Sequence, residues 1–226
     1  MDYDIGENAN YSKILIDELE LTRLPVAVKF INGEDEVPEG IEKIDEPLRH
    51  CEMIAKASKG DSFYSTAEEQ KCTGGSSAMG LTELPPKIAS GEFYYTLGRF
   101  ESVETAKSVL DNISRKDEKS YGLVYAPLEK ANFAPDVVVI ITNPKFGMKV
   151  TQAIVYNSGE MFEAKFAGIQ SLCADAVSGP YVTGKPNATL ACSGSRGYAG
   201  IEDDEIAYGL HRDNIKPIID GLQNMA

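Results

Sequence analysis

The chain has 226 residues, 42% of them apolar and 25% charged, with a formal net charge of −13. That length allows one large domain or two small ones and buries most of the unfolded surface. With 35 acids against 22 bases, nucleic acid and anionic membranes are excluded as natural partners, and no apolar run approaches the ~20 residues that cross a bilayer. The first ten residues, MDYDIGENAN, are acidic and lack a basic segment before an apolar one. A cytoplasmic protein is therefore expected.

Residues 10–21 place Ile14, Leu15, Glu18 and Leu19 at helical spacing, with Asn10 or Ser12 as the cap. Pro25 stops the helix, and residues 26–31 read as a strand before the Asn32-Gly33 turn. Residues 48–57, which contain His50 and Cys51, read as a short helix, and 62–65 as a short strand. Residues 102–113 form an amphipathic helix with Val103, Ala106, Val109, Leu110 and Ile113 on one face. Residues 114–119 are charged and read as a junction between two halves. Residues 121–128 and 137–142 are strands, the second the most apolar run and hence central in a sheet. Residues 146–156 fit helix or strand, and 161–172 contain a strand ending near Gly168. Pro180, Gly184 and Pro186 make an irregular loop, and 205–210 and 215–222 are closing helices.

All four cysteines fall in two similar stretches. Cys51 precedes Cys72, which opens CTGGSSAMGL, and Cys173 precedes Cys192, which opens CSGSRGYAGI. Each stretch reads C, about twenty residues, then C-[ST]-G-x5-G-[LI]. The match extends to Glu92–Arg99 against 205–212, as E-x-x-Y-x-L-x-R, and to an apolar strand after a proline before each cysteine pair. The expected fold is α+β, with two related sheet-and-helix halves, 1–118 and 119–226, packed face to face about a pseudo-twofold axis after an internal duplication.

In a reducing cytoplasm four cysteines are thiols, metal ligands or nucleophiles rather than disulfides. The first reading makes Cys51, Cys72, Cys173 and Cys192 the ligands of an iron–sulfur cluster ([4Fe–4S]) or another thiolate-bound metal, although no C-x2-C spacing is present. The alternative is that they are small buried apolar residues. A second chemical reading makes Cys192 a nucleophile, activated by a helix N-terminus and Arg196. A third uses the glycine turns, Gly74 and Gly75 with Ser193, Gly194, Ser195 and Arg196, as an anion pocket without metal. His50 and His211 are the only histidines, and the sequence assigns no catalytic residue.

Residues 131–139 (ANFAPDVVV), Asn143-Pro144, 166–176 (FAGIQSLCADA) and 185–196 (KPNATLACSGSR) resemble the domain of unknown function 169 family, whose members occur in archaea, notably methanogens, and in anaerobic bacteria. The resemblance covers nearly the whole chain. It implies an anaerobic cytoplasm, where an exposed cluster or thiol survives. The expected protein is a soluble component of anaerobic redox or C1 metabolism that holds a cluster on the four cysteines. Its partner is a small molecule or a redox protein, not nucleic acid or membrane, and a homo-oligomer is left open.

Overall fold

The computed structural model describes residues 3–225. In chain order these form α1 (Asn8–Leu19), β1 (Val26–Ile31), α2 (His50–Ala57), β2 (Phe63–Thr66), α3 (Thr73–Ala78), α4 (Pro86–Ala89), α5 (Glu92–Thr96) and α6 (Val103–Asp111). There follow β3 (Gly122–Pro127), β4 (Val137–Thr142), α7 (Pro144–Tyr156), a π-helix (Ser171–Ser178), α8 (Gly179–Thr183), β5 (Asn187–Thr189), α9 (Ser193–Ala199), β6 (Ile206–His211) and α10 (Arg212–Asn224). The strands make one sheet, β2-β3-β1-β4-β6-β5, with every neighbouring pair antiparallel. No described helix is long and apolar enough to cross a membrane.

Alternation along the strands divides the core in two, because successive side chains of a strand point to opposite faces. Val26, Val28, Phe30, Leu123, Tyr125, Val137, Val139 and Ile141 face α2, α3 and the π-helix. Ala27, Ile31, Val124, Ala126, Val138, Ile140, Tyr208 and Leu210 face α1, α7 and α10. Both faces of the sheet are thus covered, which is why β1 and β4 read as near-continuous apolar runs. A third, smaller core of Ile88, Leu110 and Ile169 sits under α4–α6.

Several expectations change. The two halves do not stack as facing sheets: β1 pairs directly with β4, so there is one continuous sheet. Residues 205–210 form no helix. They enter β6, where Ala207 faces one core and Tyr208 and Leu210 the other, a period of two that the E-x-x-Y-x-L-x-R match obscures. That match therefore equates a helix, α5, with a strand. No strand forms within 161–172. Residues 156–161 are exposed, and the chain becomes buried at Ile169 before entering the π-helix. Residues 146–156 are helical, opened by Asn143, whose side chain accepts the Phe146 N–H, and by Pro144 at the first turn. Helix α1 starts earlier than Asn10, with no side-chain cap.

The π-helix is the least common element. Gln170 enters it with φ 52°, and all eight residues are buried. Ser178 donates its hydroxyl to the Ser114 carbonyl at 2.7 Å, and Asn187 donates its amide to the Asp175 carbonyl at 2.9 Å. It lies against β6 at Gly209, the position where the sheet offers bare backbone.

Candidate functional site

The four cysteines reach the same face of the sheet from four elements. Cys51 lies in the first turn of α2, beside His50. Cys173 lies in the π-helix. Cys72 and Cys192 are the N-caps of α3 and α9. Cys72 Sγ accepts the Gly75 N–H at 3.4 Å, and Cys192 Sγ accepts the Ser195 N–H at 3.5 Å while its sulfur lies 3.4 Å from the Ser195 hydroxyl. The shared C-[ST]-G motif thus has one local meaning. It starts a short helix with a thiol where Ser, Thr, Asp or Asn would cap better. A weak cap placed twice in this way points to a demand for sulfur.

Helix packing joins the elements that carry the thiols. Arg49, at the N-cap of α2, sets its guanidinium 3.4 Å from the centre of the Tyr198 ring on α9, and Cys51 Sγ lies 4.0 Å from the Gly194 carbonyl. Gly75 backs onto the other pair: a Cβ there would lie 3.6 Å from Cys173 Cβ, 3.7 Å from Cys72 Cβ and 3.5 Å from His50 Cβ. A Cβ on Gly194 would lie 3.7 Å from Cys192 Sγ.

The thiols feel one another electrostatically. Burial, followed by charge on Cys192 and then Cys72, pushes Cys51 up to about 12. Burial, followed by charge on Cys72, Cys192 and Cys51, raises Cys173 well above the ordinary thiol range. Cys192 moves the other way. Burial opposes its ionisation, but the Ser195 hydroxyl and the backbone at Ser171, Ser195 and Gly194 outweigh it and lower the pKa. All four cysteines are free thiols. Among the described residues, no three His, Cys, Asp or Glu side chains stand close enough to share one metal ion.

The neighbouring polar groups have defined tasks. His50 is buried and its Nδ1 lies 2.9 Å from the Tyr125 hydroxyl; burial drops its pKa to about 4, so it is neutral. His211 caps α10 by accepting the Asp213 N–H. Arg196 does not present its guanidinium to an anion. It donates to the carbonyls of Glu202, Leu190 and Glu205 and braces the turn before β6. Ser193 is exposed, Ser195 is buried against Cys192, and Gly74 backs onto the Gln170 side chain. A cleft of about 1250 Å³ lies between α6, the segment around Phe162 and the Asp175 side of the π-helix, and no glycine-turn residue lines it.

Sequence reasoning missed three residues beside the thiols, Tyr94, Gln170 and Arg115. Arg115 falls in the charged stretch 114–119 that reads as a junction.

A family model described as DUF169, uncharacterised ArCR, matches residues 14–221. The chain belongs to the DUF169 family. It is 41% identical over 223 residues to a protein named Uncharacterized protein MJ0308, from Methanocaldococcus jannaschii, covering 98% of this chain and 96% of that one. No solved structure matches it significantly. The family match spans both cysteine pairs, so this DUF169 chain carries its candidate site inside the shared region.

Proposed function

We propose that the protein is a soluble electron carrier of anaerobic redox or C1 metabolism, holding a [4Fe–4S] cluster on Cys51, Cys72, Cys173 and Cys192. What supports this reading is the convergence of four cysteine-bearing elements on one sheet face: a Cβ on Gly75 would touch both Cys72 and Cys173, and Cys51 Sγ lies 4.0 Å from the Gly194 carbonyl next to Cys192. A single tetrahedral ion needs sulfurs at ~2.3 Å from one point, and no described trio approaches that. A cubane binds each cysteine to a different iron and so takes a wider chamber. Gly75 and Gly194 would leave room for it, since a Cβ on Gly75 would lie 3.6 Å from Cys173 Cβ and one on Gly194 3.7 Å from Cys192 Sγ. When bound, such a cluster stores and passes single electrons. The chain contributes thiolates, backbone N–H groups on two of them, and a dry setting. The methanogen origin of the M. jannaschii relative agrees with an anaerobic setting.

We also infer that the two halves arose by duplication. The strand order reads alike from either edge, β2-β3-β1 against β5-β6-β4. The central register, Val26 opposite Val139 and Val28 opposite Val137, is centred on Ala27 and Val138. Each half then supplies one helix cysteine and one N-cap cysteine. On this reading β3 belongs to the first half, so the boundary falls after β3 rather than at 118.

The test is anaerobic incubation of the pure chain with iron and sulfide. Broad visible absorption with about four iron and four sulfide per chain is expected; a colourless chain that retains neither overturns the proposal. Gly75→Ala separates the chamber from the scaffold. Alanine is the better helix former by about 1 kcal/mol and its Cβ meets only ordinary contacts. The apo variant is therefore expected to melt no lower than wild type while its iron content falls severalfold.

The lowered thiol of Cys192 favours a second reading, a cysteine-dependent enzyme. Neither histidine is hydrogen-bonded to it: His50 Nδ1 pairs with the Tyr125 hydroxyl while its buried Nε2 has no partner among the described residues, and His211 caps α10. Rapid alkylation at Cys192 alone, in a chain that binds no iron, would select this reading.

A further inference from the structure

The cleft of about 1250 Å³ is lined by no cysteine. It lies at the β5 edge of the sheet, where Asn187 of β5 lines it. Its walls come from both sides of the sheet. Ile113 and Ala174 pack with the core that meets α2 and α3, and Ile154 and Ile218 with the core that meets α1 and α7. Residues 158–167 supply a further wall, and Asn187 ties it down. Asn187 Oδ1 accepts the Lys165 N–H at 2.8 Å, and its Nδ2 donates to the carbonyls of Lys165 and Asp175, both at 2.9 Å. Pockets for small molecules run from ~300 to ~1,000 Å³, so this cleft has room for one with water to spare.

The charges around it are unequal in kind. Glu160, Glu163, Lys165 and Lys185 line the cleft, but all four are exposed. Water and salt screen them, and their signs cancel. Asp175 is only 7% exposed. Its Oδ2 accepts the Thr189 hydroxyl at 2.8 Å, and it belongs to none of the ion pairs among the described residues. A carboxylate drawn out of water with one hydroxyl for company is short of compensation. Asn214 of α10 also lines the cleft, and its Oδ1 is buried without a donor among the described residues. Acceptors in want of donors favour a ligand that brings N–H groups and positive charge. The chain's net charge of −13 favours the arrival of such a ligand. Phe162 and Phe166 line the same cleft; the Phe162 ring is held by stacking on Tyr208, with centroids 6.0 Å apart.

We propose that this cleft binds a small organic cation, an amine carried on an apolar or aromatic body, with Asp175 as its polar anchor and Phe162 and Phe166 as its apolar seat. The amine N–H donates to the carboxylate, and a hydrogen bond between two charged groups is stronger than a neutral one. The body covers the phenyl rings, whose faces also attract a cation. This site owes nothing to the cluster reading, and the two stand or fall separately.

The experiment is isothermal titration of the purified chain with tryptamine, tryptophol and indole-3-acetate, which join one indole body to a cationic, a neutral and an anionic end. Tryptamine is expected to bind most tightly. Asp175→Asn removes the charge and keeps an acceptor for the Thr189 hydroxyl. It is expected to weaken tryptamine about tenfold or more and to leave tryptophol unchanged. A purely structural Asp175 would move neither ligand. Ala167→Trp places a large ring at an exposed position of the cleft wall. It is expected to lose tryptamine severalfold at an unchanged melting temperature, and it decides the matter if Asp175→Asn fails to fold. Tighter binding of indole-3-acetate than of tryptamine, equal tryptamine affinity in wild type and Asp175→Asn, or no tryptamine binding at millimolar concentration overturns the proposal.

Discussion

Gly209→Ala is expected to lower the melting temperature of the apo protein by roughly 10 °C and to abolish cluster loading. A Cβ at this position of β6 would run into the Ala176 carbonyl of the π-helix, with the Ala176 Cα only 2.9 Å away. Both obstacles are backbone, so no rotamer change relieves them. Gly209 is fixed from the other side by pairing with Val139 and Asn187, so β6 cannot retreat without breaking two ladders. The π-helix must move instead. Overpacking of a well-packed core costs about 1–3 kcal/mol and occasionally more, and each kcal/mol is worth roughly 2–4 °C in a chain this size. Since Cys173 lies in the same helix, the displacement also carries a thiol out of place. Gly197→Ala is the control. That glycine lies in α9 with nothing within 4 Å of a new Cβ, so unchanged or slightly raised stability is expected. Equal melting temperatures for Gly209→Ala and wild type, measured by circular dichroism, would contradict the described packing.

The second large effect is a split between colour and stability across the cysteines. Removing any one of the four thiols is expected to bleach most of the visible absorption of the loaded protein. Stability should follow a different rule. Cys72→Ser and Cys192→Ser put a preferred capping residue at the start of α3 and α9, so the apo variants are expected to melt at or above wild type. Cys72→Ala and Cys192→Ala remove the cap and should cost about 1 kcal/mol each. Cys51 and Cys173 cap nothing, so serine there gains no cap; Cys173→Ser also buries a hydroxyl and is expected to destabilise. Loss of iron in only one of the four variants, with the rest fully loaded, would contradict a shared cluster and leave Cys192 as a lone reactive thiol.

Much of the scaffold is legible from the sequence. Strands β1, β3 and β4 announce themselves by β-branched residues between Pro and Gly breakers, and α1 and α6 by helical spacing of Leu15 and Leu19 or of Ala106 and Leu110. The cysteine–glycine turns are legible as repeated objects too, and their capping role follows from C-[ST]-G. Strand β6 is hidden because Gly209 and Ala207, small for the π-helix above them, dilute its alternation. The π-helix is hidden because every side is buried, which leaves no amphipathic period to read. Sequence cannot place Cys51 beside Cys192, since their meeting depends on β1 pairing with β4 and on Arg49 stacking over Tyr198. The three backbone carbonyls that Arg196 reaches are likewise not legible from its place in the second glycine turn.

The wide separation of the thiols along the chain has a consequence for biogenesis. A ligand set closed by Cys192 exists only after α9 has left the ribosome. At ~5–20 residues per second, the stretch from Cys51 takes on the order of ten seconds to make. During that interval the nascent chain offers incomplete ligand sets, and Cys173 joins them only 19 residues before Cys192. Metal would therefore enter a nearly finished protein, and its binding energy would add to the native state alone. Starved of iron, cells would be expected to accumulate a folded but less stable chain rather than an unfolded one, because the second core of α1, α7 and α10 contains no thiol.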